Sequence, residues 1–410
     1  MPAKDGLLVR LRVTAGRLSA ATVHAIAEAG RRHGNGRFDL TSRGNLQMRG
    51  ASEASLPRLH EALGARGLLD ASIPGEAVRN VLVSPLAGLE GPDVAAVAAE
   101  LERALVADKS LHALPGKFAF VIDDGSLLSL AAIPADIRFV RAAHETFAIG
   151  LGGYDAEDAF IGSCSRQDIV PTALRLARAF LHFSARLPDQ ARRMRDLLRV
   201  VEPEAIAAAA DLARAPRRAP PPTPAGAPCP IGVLRLGNGT SCLGIGAAFG
   251  RLEASMLDKA AEAAEHFGKG EIRLTPWRAL LLPGIAPARA QSAIACVSGA
   301  GFVTDPRDPR RALAACVGAS GCESATTDTR ADALALAGLA RRLVPEGIAL
   351  HVSGCAKGCA RQQATPIVLV AREGRYNLVL EGTASSVPSA RGLTSAEVGG
   401  ILEGDFWKGS

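Results

Sequence analysis

Aromatic side chains are scarce: phenylalanine, tyrosine and tryptophan supply 4% of the 410 residues. A chain so poor in flat rings cannot readily build the stacking platform that holds single-stranded nucleic acid. Long apolar runs are missing as well. No stretch of about 20 hydrophobic residues occurs, so no transmembrane helix and no membrane partner are expected. The opening MPAKDGLLVRLRV lacks the apolar core of a secretory leader and reads as the approach to a strand. No G-x-G-x-x-G follows a convincing strand, and GLGGYD at 150–155 is too short, so a bound nicotinamide or flavin domain is not indicated. Cysteines number only 8. A cytoplasmic setting is expected, in which those thiols stay reduced and free for metal work rather than disulfides.

What is present begins with a modest positive charge, +6 with an isoelectric point near 9.0. It is scattered, with only short runs such as ARRMRDLLR at 191–199. An arginine- and alanine-rich solvated surface accounts for most of it, and a polyanionic ligand is the functional alternative. Hydrophobic residues at 48% allow sizeable cores, and the length suits about two to four domains.

The chain repeats itself. Residues 17–50 align without a gap on residues 251–284, an offset of 234, with 12 identities in 34 positions. Each copy reads as an amphipathic helix, a Gly-x-Gly turn and then strand, with another strand before it (LLVRLRV; IGVLRLG) and a second helix after it, near 52–66 and 286–300. This β-α-β-β-α unit occurring twice predicts a pseudo-twofold α+β protein. The repeat extends further: VRNVLVSPLAG at 78–88 falls where LAACVGASGC falls at 313–322. Between the halves, ARAPRRAPPPTPAGAPCP at 213–230 is a linker by composition. The expected organisation is a half-domain at 1–75, an α+β lobe at 76–212, the linker, a second half-domain at 231–300 and a second lobe at 301–410. The ligand of such a duplicated fold is expected between the halves.

The second lobe holds the most specific signal. AACVGASGCES and HVSGCAKGCARQQ give Cys316-x5-Cys322 and, after 32 intervening residues, Cys355-x3-Cys359. Four thiolates in two glycine-containing loops suit a 4Fe-4S cubane, which needs soft ligands and backbone amides close to its sulfides. Gly318, Gly321, Gly354 and Gly358 allow that approach. A structural zinc site is the alternative, although its pairs are usually tighter than x5. Cys164, Cys229, Cys242 and Cys296 lack paired spacing and read as ordinary thiols, although Cys164 in IGSCSRQD could sit near a site. His351 reads as structural.

This cysteine pattern on a duplicated unit resembles the siroheme-dependent sulfite and nitrite reductase superfamily. The resemblance covers nearly the whole chain. It implies two ferredoxin-like half-domains and two larger α+β lobes, with residues 1–75 and 226–300 forming one ferredoxin-like pair. LTSRGNLQMRG at 40–50 matches the reductase segment whose arginine faces the tetrapyrrole, here Arg43. VRN at 78–80 matches a second such arginine, Arg79, and LPGKFAF at 114–120 the segment with two alternate lysines. Lys117 keeps the first lysine, and Ala119 replaces the second. Asn45, Asn80 and Lys357 join the tetrapyrrole-binding candidates. The counterpart of Arg43 in the second copy is Trp277, as expected if only one half supplies cations.

Two departures bear on activity. Ala119 weakens an anion site built on charge-assisted contacts, and Ala356-Lys357 stands where the reductases usually have Pro-Asn. Within the superfamily, GCAKGCA at 354–360, the short length and the compact linker look most like the oxygen-dependent branch of aerobic cobalamin biosynthesis. That resemblance implies a mono-oxygenase acting on precorrin-3A, with dioxygen and an external reductase using NAD(P)H as partners. A hydroxyl enters at the meso carbon between rings A and D, and a ring A acetate closes a lactone. The resemblance also implies a non-haem iron, but the eight histidines show no H-x-D/E pairing that would mark its ligands. The competing reading is a siroheme-dependent sulfite or nitrite reductase, with siroheme tightly bound and Cys359 bridging to its iron. A non-catalytic cluster carrier or tetrapyrrole-binding module is the third, and it would bind ligand without consuming oxygen.

Overall fold

The computed structural model describes residues 2–70, 72–153, 159–212 and 229–404. The linker expected at 213–230 lies outside the described residues except for its last two positions. Four five-stranded sheets are built in chain order. The first half-domain contributes β1 (Pro2–Ala3), β2 (Gly6–Leu11), β3 (Arg17–Ser19), β4 (Arg37–Leu40) and β5 (Leu46–Ala51). The first lobe holds β6 (Val81–Val83), β7 (Phe120–Asp123), β8 (Ile137–Ala143), β9 (Thr146–Leu151) and β10 (Ala159–Ser165). The second half-domain gives β11 (Gly232–Arg235), β12 (Ser241–Gly246), β13 (Arg251–Glu253), β14 (Glu271–Leu274) and β15 (Ala279–Pro283). The second lobe closes with β16 (Leu313–Ala315), β17 (Leu350–Ser353), β18 (Thr365–Arg372), β19 (Arg375–Gly382) and β20 (Ala390–Leu393).

The half-domains are interlocked. Their sheets run β1-β2-β5-β4-β13 and β11-β12-β15-β14-β3, so each borrows its edge strand from the other copy. The helices Ala20–His33 and Ala254–Phe267 pack on each other and share one hydrophobic core. In the first helix, Val23, Ile26, Ala27 and Gly30 recur at helical spacing and are buried. Ser19 caps its start by accepting the Thr22 amide, worth about 1 kcal/mol. Arg31, Arg32 and His33 sit at its negative end.

The duplication is visible in backbone detail. Left-handed residues recur at the offset of 234: Ala15 and Phe249, Gly16 and Gly250, Gly36 and Gly270, Gly44 and Arg278, Gly50 and Gly284. One expectation is corrected. IGVLRLG, taken as the counterpart of LLVRLRV, forms β11, an edge strand equivalent to β1. The true counterpart of β2 is β12, which pairs β15 as β2 pairs β5. The 234-residue offset already points there, but Gly244 and Gly246 hide the strand's apolar alternation.

The lobes share one topology, β6-β7-β8-β9-β10 and β16-β17-β18-β19-β20. In each, the first three strands are parallel and the remaining pairings antiparallel. Parallel strands deliver their carboxyl ends to the same edge, where open α/β sheets carry ligands. Among the described residues no helix is long and apolar enough to cross a membrane.

Candidate functional site

The two cysteine loops leave the carboxyl ends of β16 and β17. Those strands pair Ala315 with Val352, and the Cys316 amide donates to the Val352 carbonyl at 3.3 Å. The Gly354 amide in turn donates to Cys316 Sγ at 3.2 Å. A side chain at Gly354 would place its Cβ 2.5 Å from that of Ala325 and 3.3 Å from Cys316 Sγ, so only glycine fits. Gly318 and Gly358 turn their loops at φ +69° and +58°. Thr329 Oγ1 lies 3.7 Å from Cys316 Sγ and donates to the Cys316 carbonyl at 2.9 Å.

The structure brings the four sulfurs into one electrostatic neighbourhood. The Cys359 thiol is pushed above its ordinary value by burial first, then by Cys355, Cys316 and Cys322. A cationic iron centre among them would reverse that repulsion, and the Gly354 amide on Cys316 is the hydrogen bond a cluster thiolate accepts. The cradle therefore fits a cluster. Among the described residues, no three His, Cys, Asp or Glu side chains converge on one point suited to a single metal ion. Four thiolates around a four-iron cluster stand on a wider frame than one ion's coordination shell. Among the described residues no such group is placed to hold a mononuclear iron. His351 is fully buried, its two ring nitrogens have no partner, and burial lowers its pKa to about 4. Cys164 lies away from the cradle, packed against the first lobe's core, with its thiol pushed up to about 12 by burial.

Beside the cradle lies a cleft of two adjoining compartments, about 460 Å³ and about 1000 Å³. Arg43, Asn45, Asn80, Lys117 and Cys359 line the smaller one. Residues 117, 119 and 121 alternate with the core residues Phe118, Phe120 and Ile122, so Lys117, Ala119 and Val121 face the cleft together. No side chain among the described residues pairs with Lys117. Arg43 sits on the Thr41–Asn45 turn, where the Thr41 amide donates to the Asn45 carbonyl, the Asn45 amide donates to Thr41 Oγ1, and Gly44 takes φ +62°. Burial, then the positive neighbours Arg193, Arg12 and Arg10, depress its pKa from the usual arginine value.

Several expected binding residues have other duties. Asn80 Oδ1 accepts from Arg43 at 3.1 Å and Arg12 at 3.4 Å, while its amide nitrogen donates to the Ala77 and Gly116 carbonyls. It aims Arg43 into the cleft. Asn45 accepts from the Val13 amide and donates to the Arg43 carbonyl, holding the same turn. Arg79 does not line either compartment. It is paired with Asp70 at 2.8 Å and Glu102 at 3.3 Å, so its charge is already neutralised inside the first lobe. Lys357 is exposed on the cluster loop and outside the cleft lining.

Arginines of the second half line the cleft as well. Arg278 and Arg361 line both compartments, and Arg311 and Arg341 line the larger. Arg361 donates to Thr365 Oγ1 at 3.0 Å. Arg311 and Arg341 donate to the Pro306 and Pro345 carbonyls. Among the described residues none of these second-half arginines meets a carboxylate, whereas Arg193, also in the cleft, is held by Asp136 at 3.0 Å. Burial depresses the pKa of Arg278 and of Arg361. The signal for Arg278 lay in the repeat: it occupies the position of Gly44.

Residues 1–66 and 235–295 match the family described as nitrite/sulfite reductase ferredoxin-like half domain. The solved structure of Mycobacterium tuberculosis NirA protein superposes with a TM-score of 0.78 at 22% identity, covering 96% of this chain and 79% of that one. A ferredoxin–nitrite reductase of Synechococcus elongatus is 27% identical over 90% of this chain and 77% of its own length. Fold and cradle thus define a protein built on the sulfite/nitrite reductase plan. A precorrin-3B synthase of Sinorhizobium sp is 35% identical over 95% of this chain and 83% of its own. The chain belongs to the precorrin-3B synthase family.

Proposed function

We propose that the protein is an oxygen-dependent oxidoreductase that converts precorrin-3A to precorrin-3B in cobalamin biosynthesis. The observation that carries this reading is the set of guanidiniums without carboxylate partners, Arg43, Arg278 and Arg361, which line one cleft with Lys117 and Cys359. Buried cations whose pKa is already depressed gain when a carboxylate arrives, and a tetrapyrrole carries carboxylates around its rim. Arg43, steadied by Asn80, and Lys117 grip the substrate from the first half, and Arg361 from the second. This orients the macrocycle with one face toward Cys359.

A 4Fe-4S cluster held by Cys316, Cys322, Cys355 and Cys359 would supply single electrons when bound. In the overall change, one atom of dioxygen enters at the meso carbon. The other leaves as water, with two electrons and two protons drawn from an external donor. The ring A acetate then closes the lactone by adding its carboxylate oxygen to the ring carbon beside the new hydroxyl, so that the double bond between the two carbons is consumed and the hydroxyl is kept. The test is turnover of precorrin-3A with isotopically labelled dioxygen and a reductant. The expected product carries one labelled oxygen. Sulfite or nitrite reduction in the absence of added tetrapyrrole would overturn the reading. A siroheme-dependent reductase is the second reading. It is favoured by the opening of Cys359 into the cleft and disfavoured by Ala119 at the place of a cation.

A further inference from the structure

We infer that Arg278 is a specificity-determining residue, a carboxylate clamp delivered to the tetrapyrrole by the second half-domain. The inference rests on the proposed function and adds a residue that the reductase motifs do not point to. Its basis is the pseudo-twofold comparison. Thr275 and Ala279 close a turn with the Thr275 amide on the Ala279 carbonyl at 3.0 Å, as Thr41 and Asn45 do in the first copy. Both turns need a left-handed residue, and they supply it with Gly44 at φ +62° and Arg278 at φ +60°.

Glycine takes this conformation at no steric cost, whereas arginine is strained there. A strained non-glycine residue persists when its surroundings give it a use. No such use is seen among the described residues. The first copy shows that the turn closes without any side chain at this position. Among the described residues, Arg278 makes no side-chain hydrogen bond or ion pair, and only the more distant field of Asp39 favours its charge. Its stem packs over Gly250, where the left-handed φ of +74° and the Leu40 carbonyl, 2.6 Å from a Cβ, already call for glycine; a Cβ there would also stand 3.1 Å from Arg278 Cδ. Arg278 lines both compartments and so stands where they meet. A macrocycle too large for the smaller compartment must cross that boundary, so a fork at this point reads its rim carboxylates and sets its position.

The test uses the full-length, cluster-loaded protein, uroporphyrin as a stable carboxylate-rimmed tetrapyrrole, and the variants Arg278→Gly and Arg278→Lys. The expected result for Arg278→Gly is roughly tenfold or more weaker uroporphyrin binding, the scale of one charge-assisted contact, with the thermal midpoint unchanged or raised and cluster absorbance intact. Arg278→Lys keeps the charge without the fork and should bind between the two. In turnover, the loss should appear in KM before kcat. Equal affinity of Arg278→Gly and the parent protein would overturn the inference while leaving the proposed function standing. Affinity lost together with the thermal midpoint would also overturn it, by making Arg278 a structural residue. A parent protein that does not bind uroporphyrin would overturn the proposed function and this inference together.

Discussion

The two lobes use one backbone device for opposite ends. In the first, Ser84 follows β6. Its amide donates to the Ile122 carbonyl at 3.1 Å, and its Oγ accepts from the Asp124 amide at 2.8 Å. In the second, Cys316 follows β16, donates to the Val352 carbonyl at 3.3 Å and accepts at Sγ from the Gly354 amide at 3.2 Å. The same strand ends thus present the same amide to an oxygen in one lobe and to a sulfur in the other. Around Ser84 the site closes on itself: Asp123 takes the Ser84 and Ser129 hydroxyls and the Leu130 amide and is buried. Around Cys316 the site stays open: its sulfur accepts the Gly354 amide, and Cys322, Cys355 and Cys359 share its neighbourhood. The scaffold offers two equivalent cradles, and residue type decides which one is left open for a cluster.

The largest effect that comparison predicts is Cys316→Ser. Serine already occupies the equivalent place in the first lobe, so the amide contact and the fold should survive while cluster absorbance disappears and activity goes with it. A serine variant that keeps the cluster would remove Cys316 from the ligand set. Next in size is His351→Val, which rebuilds in β17 the Val121 that β7 carries at the matching register position. Burial lowers the His351 pKa from an ordinary 6.5 to about 4. Between those values the unfolded chain binds the extra proton, so stability is full above pH 6.5 and falls as pH drops toward 4, by up to about 3 kcal/mol. Denaturant titrations across that window should show the acid loss flattened in His351→Val, and an unchanged slope would contradict the burial account.

A smaller effect is expected from Ser84→Ala, which strips an acceptor from the Asp124 amide and a donor from buried Asp123. It should cost about 1–3 kcal/mol in chemical denaturation and leave the cluster untouched. Cluster loss in this variant would mean that the lobes are not independent. The smallest is Lys117→Ala. It removes an exposed, unpaired cation from the first lobe's wall and should weaken tetrapyrrole binding by about 1 kcal/mol with no change in cluster absorbance. Unchanged affinity would take Lys117 out of the site.

Much of this architecture was legible in the sequence because it is periodic. The 234-residue repeat, its helices and the cysteine spacing depend on local pattern, and the repeat predicted the duplicated α+β fold. The strand exchange was not legible, because Arg17–Ser19 and Arg251–Glu253 are only three residues each and carry no pattern to name their partners. Arg79 looked like a ligand contact by position, but Glu102, distant in sequence, pairs with it, whereas Asn45 and Asn80 line the cleft while holding the turn of Arg43. Arg278 was hidden for the opposite reason. Trp277 stands opposite Arg43 in the repeat, but the informative substitution is the next residue, an arginine in a turn shaped for glycine.

The central claim is that the cleft is a substrate site beside a cluster, and not the seat of a resident siroheme. The most direct measurement is the visible absorption spectrum of the anaerobically purified protein, with iron and acid-labile sulfide counted on the same sample. The account predicts the broad absorption of a cluster, iron and sulfide in matching amounts, and no haem-type bands. Sharp haem-type bands that survive gel filtration would contradict it.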